Sequence, residues 1–229
     1  GPQGRLIAHG AAARPGACLD ALAAGALASD LRRVVGGARV QAVLQLDRLT
    51  VALELYGGAR WYLVLSADPS HEGLLLSADR ARRGEGEPTP LTLAMRSRLV
   101  GARLGDVRQP PLERALWFRF DGATAWHLVA ELTGRLANLV LLDDARTIIA
   151  LARPVTSAMT RARTVLPGRL YVPPPVPAKV VPDAVTSSQI SSALGVSGDA
   201  PAWRALVGLV RGVSPMAARE IVYRADGDA

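Results

Sequence analysis

The chain is 229 residues long, 49% hydrophobic but only 4% aromatic, and carries 27 Lys and Arg against 20 Asp and Glu, a net charge of +7. That length can bury a real core, as one large domain or one plus a small appendage, and no apolar run approaches the ~18 residues of a membrane span. Cys18 is the single cysteine, which excludes an intrachain disulfide and a multi-cysteine zinc site, and the scattered His9, His71 and His127 offer no metal-ligand spacing.

Lys179 is the one lysine, so the basic side chains are otherwise all arginine. Arginine grips phosphate in bidentate fashion and stacks on bases, which fits nucleic acid. An Ala-, Gly-, Arg- and Pro-rich chain also fits the codon bias of a genome, and both readings stay open.

Gly1-Pro2 reads as a cloning remnant. Residues 17–28, ACLDALAAGALA, have the apolar stretch and small-residue end of a signal peptide, but Asp20 interrupts them and only Arg5 and Arg14 precede. Asp20 is instead expected to open a cytosolic helix reaching about Val35. Leu22, Leu27, Leu31 and Val34 would fall on its buried side, and Gly36-Gly37 would end it.

A pattern then occurs twice. Gly37-Ala38-Arg39-Val40 is followed by Val43, Gln45, Asp47-Arg48 and an alternating strand over Leu49–Tyr56. Gly101-Ala102-Arg103-Leu104 is followed by Val107, Gln109, Glu113-Arg114 and a strand over Ala115–Phe120. A helix candidate precedes each copy, the second being Pro90–Leu99. This reads as a degenerate duplication of a helix–strand–turn–strand unit, against chance similarity of short segments. Between the copies, Gly57-Gly58 turns the chain into a strand over Arg60–Ser66, and residues 67–76 make a turn and a further extended run. Arg80, Arg82 and Arg83 lie in a charged Gly/Pro loop, as a polyanion contact or as a solvated surface.

Trp126–Leu142 begins with a period of two: Trp126, Leu128, Ala130 and Leu132 point one way, His127, Val129 and Glu131 the other. After a break at Thr133-Gly134-Arg135, short strands over Asn138–Leu142 and Thr147–Leu151 follow. The Gly-Arg-x-x-Asn corner puts Arg135 and Asn138 at a sheet end. They can serve phosphate or carboxylate recognition there, or the corner's own hydrogen bonds.

Residues 153–169 carry Arg153, Arg161, Arg163 and Arg169 with little acid, and Tyr171–Pro182 is proline-dense and extended. Helices are expected over Ser187–Leu194, Ala200–Val210 and Pro215–Arg224, the last two joined by Arg211-Gly212-Val213-Ser214. A short helix pair of this kind can present backbone N–H groups to phosphate. The expected division is an N-terminal extension over 1–19, a β-rich domain over 20–175, a Pro-rich linker over 176–185 and a helical module over 186–229.

In this order and spacing, several motifs resemble the N-terminal part of the NFACT family. They are Val-Gly-Gly-Ala-Arg-Val at 35–40, Leu-Ser-Ala-Asp-Pro-Ser at 65–70, Met-Arg-Ser-Arg-Leu at 95–99 and Glu113-Arg114. Val-Ala-Glu-Leu-Thr-Gly-Arg at 129–135 with Asn138, Leu-Pro-Gly-Arg-Leu-Tyr-Val-Pro-Pro-Pro at 166–175, Gly-Val-Ser-Pro at 212–215 and Ala-Arg-Glu-Ile at 218–221 continue the match. The resemblance implies an α+β fold: a two-sheet, β-sandwich-like domain with flanking helices, akin to the N-terminal domain of formamidopyrimidine-type DNA glycosylases. A helix-hairpin-helix module would follow it. Bacterial members are the RqcH ribosome quality control proteins, long labelled fibronectin-binding protein A. They bind the large ribosomal subunit carrying stalled peptidyl-tRNA and recruit tRNA for C-terminal tailing. Their coiled coil and RNA-binding domain are missing from these residues, so a truncated or naturally short chain is expected.

On that resemblance the family's tRNA-engaging Asp-Arg pair falls on Glu113-Arg114, with the acid one methylene longer. Arg96, Arg98 and Arg135 would add phosphate contacts beside Asn138. For the pair itself, a surface ion pair of little worth is the competing reading. No catalytic residue is expected, since no phosphate loop with Lys, metal cluster or Ser/His/Asp signature is present. Nor does Gly1-Pro2-Gln3-Gly4 offer a glycosylase's proline amine and acid. The sequence thus implies a cytoplasmic, non-enzymatic RNA-binding module with no cofactor and no membrane contact. A DNA-binding or repair-associated module and a fibronectin-binding surface protein are the alternatives.

Overall fold

Asp20 accepts a hydrogen bond from the Ala23 amide at 2.8 Å and so caps the first helix, α1 (Ala21–Val35). The structure, a computed structural model, describes residues 20–160 and 162–227. The N-terminal extension, Cys18, His9 and Arg161 lie outside the described residues. Within α1, Leu27, Leu31 and Val35 are buried, whereas Leu22, expected on the inner side, is 59% exposed.

Nine strands follow: β1 (Arg39–Gln45), β2 (Thr50–Tyr56), β3 (Arg60–Ser66), β4 (Gly73–Ser77), β5 (Arg103–Arg108), β6 (Ala115–Asp121), β7 (Ala125–Glu131), β8 (Asn138–Leu142) and β9 (Ile148–Leu151). A second helix, α2 (Pro90–Leu99), lies between β4 and β5, capped by the Thr89 hydroxyl and started by Pro90. All the strands pair in one antiparallel sheet, ordered β4-β3-β2-β1-β5-β6-β7-β8-β9. The two-sheet sandwich expected above is therefore corrected to a single sheet. What joins the halves is the Arg39↔Arg103 pairing of β1 with β5, which gives each half's inner edge a partner. The sheet twists far enough that β3 meets β8 across the core.

The duplicated pattern is a real structural repeat. Each copy has a left-handed glycine before its first strand (Gly37 at φ +77°, Gly101 at +89°) and a buried alanine after it. A β-bulge recurs at matching places, Val40/Ala42 and Leu104/Asp106. Gln45 accepts from the Thr89 amide at 2.7 Å and the Thr92 hydroxyl at 2.8 Å at the start of α2. Gln109 correspondingly donates to the Ala21 carbonyl at the start of α1. The helices are exchanged: α1 packs on β5 and β6, α2 on β1.

Between sheet and helices lies the main core, with Leu53, Leu63, Leu65, Met95, Leu104, Phe118, Phe120, Leu128 and Leu141 all fully buried. The alternation along β7 holds, since Leu128 and Ala130 enter this core and Val129 faces away. On the other face Val129, Val140, Leu142 and Ile148 are covered by Val155, Val165 and Tyr171. The described residues between Pro154 and Tyr171 thus form an irregular strap, tied by bridges Val155↔Val165 and Thr147↔Leu170.

The chain ends in three helices, α3 (Ser187–Ser197), α4 (Ala202–Leu209) and α5 (Pro215–Gly227). A capping box at Thr186 and Gln189 starts α3. The proline-rich segment is hydrogen-bonded into this region: the Val180 amide donates to the Leu209 carbonyl, and the Arg211 amide donates to the Val180 carbonyl.

Candidate nucleic-acid interface

The loop from β5 to β6 meets the turn between α4 and α5 at a cleft of about 430 Å³. Leu112, Glu113 and Arg114 form one wall, Arg211 to Pro215 another, with Asp20, Thr133, Pro174 and Lys179 completing it. The walls are bridged. Arg211 Nη2 donates to Glu113 Oε1 at 2.8 Å and to the Pro111 carbonyl at 2.9 Å. Ser214 donates to Asp20 Oδ2 at 2.8 Å and accepts from the Ala217 amide at 3.1 Å, so one hydroxyl caps α5 and fastens it to the cap of α1. Gly212 lies so close to Leu112 that a Cβ there would come within 3.1 Å of its side chain. Leu112 itself adopts a left-handed φ of +57°. Two polar atoms in this lining, Thr133 Oγ1 and Arg211 Nε, are buried without a hydrogen-bond partner. Arginine donors, a helix N-terminus and an unsatisfied hydroxyl together suit an anionic ligand.

The expected site residues fall into separate places. Glu113 and Arg114 are in the cleft, and Glu113 pairs with Arg211. Arg135 belongs to the same sheet end. The Leu132 amide donates to the Arg114 carbonyl at 2.8 Å, and the chain continues through Thr133 into a short 3-10 turn over Gly134–Leu136. The Arg135 side chain is exposed, while its carbonyl accepts from Arg153 Nη1 at 3.0 Å. Asn138 is wholly buried, and its amide is committed to the corner. It donates to the Arg153 carbonyl at 2.7 Å and accepts from the Leu139 and Arg153 amides.

Arg96 and Arg98 are elsewhere. Arg96 Nε donates to the Val43 carbonyl at 3.0 Å and ties α2 to β1. Arg98 stacks over Trp126, 5.2 Å from the ring centroid, near the β6–β7 hairpin. The register Ala115↔Glu131 against Phe120↔Trp126 puts that hairpin at the far end of the sheet from Arg114, roughly 17 Å along the strands.

Two functional groups escaped the sequence reading. From the sequence Arg211 reads only as part of a turn, and its pairing with a loop 98 residues earlier carries no local signal. The second is a buried triad: Arg163 clasps fully buried Glu131 through both nitrogens, and Tyr171 donates to the same carboxylate at 2.6 Å. Burial, then the Glu131 charge, pushes the Tyr171 hydroxyl well above its usual pKa. For Arg163 burial pulls downward, but the Glu131 bonds outweigh it and its pKa is raised. The triad pins the strap to the end of β7.

The fold and cleft define a class: an α+β module whose continuous antiparallel sheet is clasped by repeated helices and joined to a helical tail through an acid–arginine bridge. The chain belongs to the NFACT family, since the family model described as NFACT N-terminal and middle domains matches residues 20–229. It is similar to the Rqc2 homolog RqcH of Bacillus subtilis (strain 168), 28% identical over 204 residues, which are 86% of this chain and 35% of that protein. The Rqc2 homolog RqcH of Streptococcus suis (strain 05ZYH33) is 24% identical over 76% of this chain and 33% of its own length. The chain therefore spans about a third of the length of these curated relatives. Among solved structures, the N-terminal domain of fibronectin-binding protein PavA from Streptococcus pneumoniae superposes with a TM-score of 0.76. It is 20% identical, covering 91% of this chain and 84% of that one. The fibrinogen binding protein from Staphylococcus aureus gives 0.74 at 23% identity, over 90% and 74%. These likenesses establish the fold.

Proposed function

We propose that this chain is the tRNA- and ribosomal-RNA-binding module of a ribosome quality control protein acting in the cytoplasm. It would engage large subunits that hold stalled peptidyl-tRNA and recruit tRNA for tailing, without catalysing a reaction itself. The observation that carries this reading is the gathering of Arg114, Arg135 and Arg211 with the N-terminus of α5 at one end of the sheet. Family membership, curated relatives named for Rqc2 and an arginine-dominated net charge of +7 support it. In this reading Arg114 and Arg135 hold phosphates, Glu113 positions Arg211, and Asn138 shapes the corner from beneath.

Affinity resting on phosphate contacts falls steeply with salt. The test is to express the protein with a tag in bacterial cells, crosslink it to RNA and sequence what is bound. Enrichment of tRNA and large-subunit rRNA over total RNA is expected. Recovery of RNA in proportion to cellular abundance would leave only generic polyanion binding. The surface-protein reading rests on the names of the solved neighbours and predicts labelling of the protein on intact cells.

A further inference from the structure

A second hollow opens on the face of the sheet opposite the main core, beside the strap and away from the cleft described above. It encloses about 460 Å³, within the ~300–1,000 Å³ of small-ligand sites. The register makes it continuous. Asp106 and Arg108 on β5 pair with Arg119 and Trp117 on β6, and Arg119 pairs with His127 on β7. Asp144 and Arg146, from the β8–β9 turn, close it from above. Tyr171 at the end of the strap meets the Trp117 ring edge-on, centroids 5.4 Å apart, and His127 does so at 6.3 Å. Two edge-on neighbours hold the indole upright in one orientation, a fixed flat wall.

The charges are sorted unevenly. Arg108 pairs with Asp106 and Arg119 with Asp121. Among the described residues no carboxylate lies within ion-pair distance of Arg146. Its guanidinium rests over the Trp117 ring, 5.7 Å from the centroid, on a turn held at a left-handed φ of +63°. The hollow thus sets an aromatic wall beside an arginine that has no acid partner among the described residues. His127, whose pKa burial lowers against the pull of Asp144, offers a neutral ring with one donor and one acceptor to a polar edge. A ligand matching all three has a planar heteroaromatic ring with hydrogen-bonding edges and an anionic group attached.

We infer that the Trp117–His127–Arg146 hollow binds one nucleotide unit, its base stacked on Trp117 and its phosphate held by Arg146. The unit can be a free nucleoside monophosphate or one nucleotide of a single-stranded RNA, since both present the same base and phosphate. Because the Arg146 guanidinium rests over that ring, stacking of a base requires it to leave the ring and turn to the phosphate. Stacking of a base on an aromatic side chain is sequence-tolerant, so no strong base preference is expected.

The test follows the indole N–H resonances of the full chain, assigning Trp117 as the signal lost in Trp117→Phe. AMP, a hexauridylate and ribose 5-phosphate are titrated separately. A shift of the Trp117 signal with hexauridylate alone supports an RNA-strand site, and a shift with both AMP and hexauridylate supports a mononucleotide site. Silence with both, or an equal shift with ribose 5-phosphate, overturns the inference. Arg146→Ala is expected to weaken the binding about tenfold, while Arg211→Ala, in the other cleft, leaves this signal's response unchanged. Loss of response in Arg211→Ala with Arg146→Ala unaffected would also overturn it.

Discussion

Arg39 of β1 and Arg103 of β5 stand directly opposite each other, and each guanidinium donates to the glycine carbonyl before the other's strand. Arg39 reaches Gly101 at 2.9 Å and Arg103 reaches Gly37 at 3.0 Å. The backbone repeats the exchange. The Gly37 amide donates to Leu104 and the Gly101 amide to Val40, at 2.7 and 2.8 Å. A local two-fold relation therefore runs between the two residues, and the sheet grows outward from it as β2-β3-β4 and β6-β7-β8. Asp47-Arg48 lies in the turn after β1 and Glu113-Arg114 in the longer turn after β5, where the spacing that relates Arg39 to Arg103 no longer holds. Only the second pair meets the helical tail, so the repeat has been put to unequal use.

Gly37 and Gly101 should respond alike to substitution. A Cβ at either would meet nothing within 4 Å, so the cost of alanine is the left-handed backbone alone. That is ~1–2 kcal/mol, partly offset by a stiffer unfolded chain. Urea unfolding of Gly37→Ala and Gly101→Ala should show losses of about 1 kcal/mol that agree within roughly 0.5. A clear inequality would mean the two-fold relation is geometric only.

Which parts of this were legible beforehand follows from where the information sits. The alternation of Leu128, Val129 and Ala130 reports a strand because burial on a sheet has a period of two, and Gly37-Ala38-Arg39 repeats visibly at Gly101-Ala102-Arg103. One sheet or two is decided by the short pairing of β1 with β5 around Arg39 and Arg103, residues 64 positions apart with no hydrophobic pattern of their own. Glu131 looks like an ordinary outward strand residue until the strap folds Arg163 over it. For the site, Glu113-Arg114 could be found by resemblance, but Arg211 could not, because its role depends on how the tail docks.

The Glu131 triad should be the most sensitive polar feature of the fold. Removing one partner of a buried ion pair leaves the other charge stranded and costs ~3–5 kcal/mol. Glu131→Ala should lose that much in denaturant unfolding, and Tyr171→Phe, which deletes one hydrogen bond to a charged group, ~1.5–3 kcal/mol. Limited proteolysis should then cut between Pro154 and Tyr171 first. Equal protease resistance of variant and parent would show that the apolar contacts of Val155 and Val165 hold the strap without the triad.

His127 gives stability a pH dependence of known sign. Burial lowers its folded pKa below the ordinary value near 6.5, and the Asp144 carboxylate, 3.8 Å away but 79% exposed, does not restore it. Just below pH ~6.5 the unfolded chain therefore holds more protons than the folded one. Stability is lost as the pH falls through that window, with a slope of at most ~1.4 kcal/mol per pH unit, and this contribution flattens once both states are protonated. His127→Asn should remove this component from unfolding curves taken between pH 7 and 5. A parent and variant that lose stability in parallel would place the cause elsewhere.

Glu113 and Arg211 should be coupled when the tail docks. Both side chains are largely buried, at 17% and 19% exposure, so the bridge is neither a screened surface pair nor a sealed one. A double-mutant cycle with Glu113→Gln and Arg211→Met should give a coupling of about 1–2 kcal/mol in stability. Coupling near zero would mean that Ser214 and the Leu112–Gly212 packing suffice to seat the tail.

Arg114 and Arg135 share one end of the sheet, whereas Arg98 lies roughly 17 Å away over Trp126, so tRNA binding should separate them. Each phosphate contact adds about 0.9 to the slope of log affinity against log salt for a duplex and about 0.7 for a single strand. Arg114→Ala and Arg135→Ala should each weaken tRNA binding several-fold at physiological salt and reduce the slope by close to one, since tRNA is mostly paired. Arg98→Ala should leave both unchanged, because that guanidinium is already stacked on an indole at the other end. Filter binding of labelled tRNA across a salt series, with unfolding curves to confirm the folded state, reads all three. If Arg98→Ala costs as much as Arg135→Ala, the ligand lies along the whole sheet; if neither Arg114 nor Arg135 matters, the basic end of the sheet is not where tRNA rests.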